Sequence, residues 1–204
     1  MRLDNPFYQV LRVLGTPVFK FYYNPKIIDS ENIPKKGPFI LCGNHRHFMD
    51  QFPVVIAVNK TIHWMSKKEY FDGHFKWFFK LTGCISVDRN KHDGSSKKVA
   101  LSYLNDGSII GMFPEGTRNK TKKALLPFKK GAIRMAKEAG CPIVPFAVNG
   151  DFKFRSKNLM VRFGTPIIVD KDQDTNQALE KLKNAILSLQ NKNYEAMKEY
   201  LKIV

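Results

Sequence analysis

The run Asn44-His45-Arg46-His47-Phe48-Met49-Asp50 follows directly on the apolar stretch Phe39 to Cys42, which reads as a strand. A strand-to-helix loop holds side chains at the edge of a sheet, and a histidine there suits general base chemistry because its ordinary pKa lies nearest neutrality. A carboxylate bonded to one ring nitrogen sets the tautomer and leaves the other nitrogen to take a proton. Asp50 is the candidate carboxylate. Two side chains five positions apart do not align on a helix, so the pairing requires the loop to bend; Asp50 equally suits the N-cap of a helix whose apolar positions begin at Phe52. Cys42, His45, His47 and Asp50 are all potential metal ligands, but their spacing fits no zinc pattern and no Cys or His pair follows, so no metal is expected. There is no Gly-x-Ser-x-Gly elbow and no Ser or Cys placed for activation by His45, which favours direct transfer over covalent catalysis.

A second constellation, Phe113-Pro114-Glu115-Gly116-Thr117-Arg118, again follows an apolar run. Gly116 permits close approach of backbone to a ligand, Arg118 is a planar fork suited to phosphate oxygens, and Glu115 suits either holding that arginine or accepting a substrate hydroxyl. Basic residues continue through Lys120, Lys122, Lys123, Lys129, Lys130, Arg134 and Lys137 with no acid between Gly116 and Lys137, which predicts a surface facing an anion. In Gly83 to Arg89 a third apolar run ends on Asp88-Arg89, and two arginines on the ends of neighbouring strands would clamp one phosphate. Tyr70, Phe71, Phe75, Trp77, Phe78 and Phe79 interleave with Lys67, Lys68, Lys76 and Lys80, a pattern shared by membrane interfaces, single-stranded nucleic-acid surfaces and ordinary core packing.

The elements that must position these residues alternate between short apolar runs and helical periodicity, the signature of an α/β layer structure. Strands are predicted at Phe39 to Cys42, Ile62 to Met65, Cys84 to Val87, Ser108 to Phe113, Ile143 to Val148 and Leu159 to Phe163, with helical faces around Val99 to Leu104, Ala132 to Ala136 and Ala178 to Leu189. Phe7, Val10, Leu11, Leu14, Val18, Phe21 and Tyr22 form an amphipathic helical face, with a break expected at Gly15 and Pro17. The expectation is one α/β domain with a central mixed, mostly parallel sheet flanked by helices. Residues 1–30 are expected to form a short membrane-associating helical segment, and residues 31–204 the catalytic domain.

With 204 residues the chain is long enough for one substantial core. Its 34 basic against 18 acidic side chains, a net charge of +16, imply an anionic partner: phosphate, nucleic acid or an acidic membrane surface. Three widely spaced cysteines suggest a reducing compartment, no secretory signal is read at the N-terminus, and no apolar run approaches the roughly 18 residues of a membrane span.

Taken together the motifs resemble the glycerolipid acyltransferase family. Asn44-His45 with Asp50 is similar to its His-x-x-x-x-Asp block, Val87-Asp88-Arg89 to its second block, Phe113 to Arg118 to its third and Val144-Pro145 to its fourth; Phe128 to Ala132 and Arg162 to Ile167 resemble the flanking text. The resemblance implies His45 as general base, Asp50 as its orienting carboxylate, and Arg89, Glu115, Gly116, Thr117 and Arg118 as the phosphate and glycerol site of the acceptor. Asn44, Lys130 and Pro145 are supporting candidates, with Lys130 or backbone amides after His45 available to an oxyanion. It further implies transfer of a fatty acyl group to the free hydroxyl of 1-acyl-glycerol 3-phosphate, making phosphatidic acid for phospholipid biosynthesis. No cofactor is expected; acyl carrier protein thioester, acyl-CoA or acyl phosphate enters as co-substrate. The expected partners are membrane phospholipid and lysophospholipid, an anionic membrane surface and acyl carrier protein, at the cytoplasmic face of the cell membrane, with no nucleic acid. Glycerol 3-phosphate or another lysophospholipid is the alternative acceptor, and a basic nucleic-acid- or lipid-surface-binding module the distant alternative. His47 stands where that family often carries a small polar residue, and its imidazole either perturbs His45 or is simply a bulky variant.

Overall fold

The computed structural model describes residues 4–89 and 94–202; Met1–Leu3, Asn90–Asp93 and Ile203–Val204 lie outside them, so the expected segments 1–30 and 31–204 are seen only in part. Seven strands, β1 (Lys26–Ile28), β2 (Phe39–Gly43), β3 (Ile62–Lys67), β4 (Ile85–Val87), β5 (Ile109–Met112), β6 (Ile143–Asn149) and β7 (Met160–Phe163), form one sheet in the order β1-β7-β6-β2-β5-β3-β4. Every neighbouring pair is parallel except β6 and β7, which gives the mixed, mostly parallel sheet that alternating runs and helices predict.

β2 is buried along its whole length, and its alternate side chains enter two cores. Ile40 and Cys42 pack with α5 (Ser95–Asn105), α6 (Gly131–Ala139) and α7 (Thr175–Lys202) through Leu104, Ile133 and Ile186. Phe39 and Leu41 pack on the opposite face with α1 (Pro6–Tyr23) and α2 (Gln51–Ala57) through Tyr8, Phe19 and Val54. Period-two alternation thus places helices on both faces, each fully buried Phe, Leu or Ile contributing about 1.5–3 kcal/mol.

All six predicted strands are present; the seventh, β1, was not predicted. Its three half-buried residues carry too little pattern to read locally, and β1 exists because it pairs with β7 and because Arg162 donates to Asp29 at 2.8 Å just beyond it. The sheet therefore takes in part of the 1–30 segment. α7 runs well past the predicted Leu189, since its buried stripe continues through the polar Asn193, which donates to Ala147 O and Asn149 Oδ1 and accepts from Arg162 Nε.

The expected break at Gly15 and Pro17 does not occur: Pro6–Tyr23 is one helix. Both of its ends are fixed independently of the proline. Asn5 caps the start by accepting from Tyr8 N and donates to Leu81 O, while Asn24 in the left-handed conformation donates its N–H to Lys20 O. Phe19 stacks on Phe52 at 5.8 Å and packs on Tyr23 at 4.7 Å. These contacts outweigh the one backbone hydrogen bond that Pro17 removes. The aromatic-basic segment forms two short helices, α3 (Glu69–Asp72) and α4 (Lys76–Leu81).

Candidate active site

The register of the two central parallel strands brings the motifs together. Cys42 of β2 lies opposite Met112 of β5, so His45 and Glu115, each three residues further on, emerge side by side from the carboxyl edge of the sheet. Asn44 prolongs the ladder on the other side, exchanging hydrogen bonds with Val148 N and O at 2.8 Å each.

The loop after β2 bends around Asp50. One carboxylate oxygen, Oδ2, accepts from Arg46 N at 2.7 Å, His47 N at 2.7 Å and the His45 ring at 3.1 Å. Asp50 does occupy the N-cap position of α2, yet its side chain caps nothing there and turns back into the loop, so the two readings of this residue are decided in favour of the histidine. A carboxylate only accepts, so His45 donates from Nδ1 and its Nε2 is left as the acceptor. The ring plane is held as well: His45 stacks on Phe113 at 4.0 Å and 9°, and Phe113 on Trp64 at 5.3 Å and 19°. The imidazole stays 18% exposed while Asp50 is 3% exposed, which gives one accessible nitrogen on an otherwise locked ring. His47 stacks on Phe152 at 4.6 Å, a packing role that fits a bulky variant rather than a partner of His45.

Glu115 faces inward. Its Oε1 accepts from His45 N and its Oε2 from Leu126 N, both at 2.8 Å. It therefore ties three loops together rather than holding Arg118, and burial pushes its carboxyl above the usual range despite these amides. Gly116 sits in the left-handed region at φ +68°, and a Cβ there would fall 2.8 Å from Lys129 Cε. Lys129 also donates its backbone N–H to Pro114 O, so it lies along this loop.

His45, Arg89, Gly116, Thr117, Arg118, Lys120 and Lys129 line one cavity of about 1520 Å³. Its other wall is apolar and runs the length of α1 from Tyr8 to Tyr23, with Phe52, Val55, Phe78 and Phe79 opposite. The volume exceeds that of ordinary small-molecule pockets and matches a long apolar ligand with a charged end. α1 exposes Val10, Val13 and Phe21 away from the cavity, while Leu14 and Val18, also exposed, stand on its lining.

Several expected residues sit elsewhere or act differently. Arg89 and Arg118 do not follow neighbouring strands: β3 lies between β4 and β5, and the two guanidinium groups share only the cavity wall. Lys130 is the N-cap of α6 and is not on that wall, whereas its neighbour Lys129 is. Pro145 is buried in β6 against Gly164. The amides of Arg46 and His47 are taken by Asp50. Cys42 lies in the core, where burial pushes its thiol up, and among the described residues no group of three His, Cys, Asp or Glu side chains is placed to hold a metal. Sequence reasoning missed Lys129 and Trp64 on the wall; the lysine was visible only as one of many in a basic run, and the tryptophan only as part of an apolar strand.

Chemistry gathered on the carboxyl edge of a parallel sheet, beside a cavity of lipid dimensions, places the protein among α/β enzymes. The fold is that of the 1-acyl-sn-glycerophosphate (LPA) acyltransferase PlsC from Thermotoga maritima, with a TM-score of 0.71 over 90% of this chain and 78% of that one at 21% identity. In sequence the chain is 31% identical over 150 residues to the 1-acyl-sn-glycerol-3-phosphate acyltransferase of Bacillus subtilis, covering 70% of this chain and 73% of that protein. It is 32% identical over 155 residues to the enzyme of the same description from Saccharomyces cerevisiae, covering 70% of this chain and 46% of the yeast protein. The chain belongs to the Acyltransferase family, whose profile matches residues 24–149.

Proposed function

We propose that this protein transfers a fatty acyl group from an acyl thioester or acyl phosphate to the free hydroxyl of 1-acyl-glycerol 3-phosphate, yielding phosphatidic acid. The observation that carries this reading is the His45–Asp50 pair, set at 3.1 Å between a basic loop and an apolar cavity; the names of the sequence relatives agree with it. His45 Nε2 takes the hydroxyl proton as the oxygen attacks the acyl carbonyl. The tetrahedral intermediate then collapses, the carbon–sulfur or carbon–oxygen bond to the leaving group breaks, and the imidazolium returns its proton to the departing thiolate or phosphate. Asp50 keeps the ring in the required tautomer and steadies its positive charge. Arg118, Arg89 and Lys129 provide cations for the acceptor phosphate on one side of the cavity, with Gly116 and Thr117 admitting the glycerol and Glu115 holding the loop.

Within residues 1–30, α1 acts as the membrane-associating segment, while β1 joins the sheet of the catalytic domain 31–204. None of the described helices is long and apolar enough to cross a membrane, so contact comes through the exposed apolar face of α1 lying in one leaflet at the cytoplasmic surface, with basic side chains at the phosphates. The donor, carried by acyl carrier protein, coenzyme A or phosphate, is a co-substrate, and the reaction needs no resident cofactor.

Purified protein is incubated with lysophosphatidic acid vesicles and each donor in turn, and products are read by mass spectrometry beside His45→Ala. Phosphatidic acid from the wild type alone is expected. Acylation of glycerol 3-phosphate in preference would replace the acceptor, and no product from folded, vesicle-bound protein with any donor would overturn the reaction.

A further inference from the structure

Two exposed aromatic and basic segments have no part in the chemistry above, and the fold sets one at each end of a single stripe of α1. Phe7, Val10, Leu14 and Phe21 recur at spacings of three, four and seven, so they share one face of that helix. From Phe7 to Phe21 the stripe runs about 21 Å. At its start Phe7 meets Trp77 of α4 edge-on at 6.5 Å, and Asn5 Nδ2 donates to Leu81 O at 2.7 Å, which docks α4 on α1. At its end Phe154, in the loop between β6 and β7, packs edge-on against Tyr22 at 5.1 Å and Phe21 at 6.5 Å. Arg155 N donates to Tyr22 O at 2.6 Å and pins that loop in place. Both segments follow strands parallel to β2, so they stand at the same edge of the sheet as His45.

Core packing does not account for these rings. Neither α3 nor α4 buries a residue; Phe75 and Trp77 are 68% and 53% exposed, Phe154 is 59% exposed, and none of the three lines the cavity. Cations bracket them: Lys76 and Lys80 beside Trp77, and Lys153, Arg155 and Lys157 around Phe154. All five are exposed, and among the described residues none pairs with a carboxylate, whereas Lys67 and Lys68 bond Glu69 and Asp88. Rings gathered in the open mark an interaction surface. A ring with a cation beside it suits the boundary between acyl chains and anionic headgroups, where the ring enters the apolar layer and the cation reaches phosphate. Single-stranded nucleic acid also takes rings and cations, but the stripe that joins the two segments offers it neither a charge nor a hydrogen bond. The same stripe continues a lipid face without interruption.

Resting on the reading of α1 as the membrane-associating segment, we infer that the bilayer contact has three parts: the α1 stripe, α4 through Phe75 and Trp77, and the β6–β7 loop through Phe154. The two flanking segments insert their rings into an anionic leaflet and bind its headgroups through Lys76, Lys80, Lys153, Arg155 and Lys157. A helix alone is free to roll about its axis on a membrane. Anchors at both of its ends fix the angle at which it lies and hold the sheet edge bearing His45 toward the leaflet that supplies the lipid.

Flotation is measured with vesicles of phosphatidylcholine alone and with added phosphatidylglycerol, for wild type, Val10→Glu with Val13→Glu, Phe75→Ser with Trp77→Ser, Phe154→Ser, and Lys153→Gln with Lys157→Gln. Each aromatic variant is expected to lower binding about five- to twentyfold with the denaturation midpoint unchanged. The lysine variant lowers binding to the anionic vesicles about tenfold and leaves binding to the neutral ones unchanged. Insertion is read separately from tryptophan quenching by brominated acyl chains: quenching is expected in wild type, is lost in Trp77→Phe, and returns when Phe154→Trp is added to Trp77→Phe. Flanking variants that float like wild type while the α1 variant does not, or rings that brominated chains leave unquenched, overturn the three-part contact and leave the α1 reading standing. Loss of flotation in the flanking variants alone upholds the two segments and overturns α1. Wild type that fails to float overturns both. Binding of a single-stranded oligonucleotide that is lost in these variants while flotation persists assigns the segments to nucleic acid and overturns the proposal.

Discussion

Glu115 accepts the backbone N–H of His45 at 2.8 Å, so the histidine and the Pro114–Arg118 loop are parts of one rigid unit. The other oxygen of the same carboxylate accepts from Leu126 N at 2.8 Å, which draws the basic segment onto that unit. Base and phosphate site are thereby set relative to each other by a residue that need not touch the substrate.

Glu115→Gln keeps one acceptor oxygen and turns an amide toward a backbone donor. A loss of about 1–3 kcal/mol is expected, read as a fall in the denaturation midpoint, together with reduced turnover as His45 shifts. Glu115→Asp, too short to span both amides, is expected to be no better.

The same carboxyl lends stability a pH dependence. Burial raises its folded pKa above the unfolded value, so the folded state binds the proton more tightly. Its ionisation therefore opposes folding, and stability falls as pH rises from the ordinary carboxylate range through the raised value. Midpoints measured against pH are expected to show this slope in the wild type and to lose its Glu115 component in Glu115→Gln.

His45→Ala is expected to lower kcat by roughly 10² to 10⁴ while vesicle flotation is unchanged. Asp50→Asn is expected to act more broadly, since Oδ2 also holds the amides of Arg46 and His47; both turnover and thermal stability fall.

Arg118→Ala is expected to raise the KM for the phosphorylated acceptor about tenfold or more with little change in kcat, the mark of lost ground-state binding. Arg118→Lys recovers the charge but not the planar fork, and an intermediate KM is expected. Steady-state kinetics against acceptor concentration separates the three forms.

On α1, Val10 and Val13 are 55% and 59% exposed and lie off the cavity lining, whereas Tyr8 and Phe19 are buried. Val10→Glu combined with Val13→Glu is expected to cut vesicle binding by more than tenfold and leave the denaturation midpoint within a few degrees of wild type. Phe19→Ala is expected to do the reverse, lowering the midpoint through loss of its packing on Phe52 and Tyr23.

The strands and most helix faces were legible because each rests on local alternation, as in Phe39 to Cys42 buried on both faces of the sheet. The motifs were legible because His45, Asp50 and the Phe113–Arg118 run follow apolar strands, which in an α/β fold end on a common edge. What failed depended on contacts distant in sequence. β1 needs β7 and Arg162 for its existence, and α1 continues through Pro17 because Leu81 and Phe52 secure its two ends.

By itself the sequence determined the α/β class, the residue types of the site and their order along the chain, since periodicity and motif spacing are local properties. Only the tertiary structure decided which of them meet. It turned Asp50 back onto His45 rather than onto α2, gave Glu115 to two backbone amides rather than to Arg118, placed β3 between the strands that carry Arg89 and Arg118, and put Lys129 rather than Lys130 on the cavity. The physical reason is strand register and the direction of each side chain from its own backbone. Both are settled when distant segments pack, and neither is written in the spacing of residues along the chain.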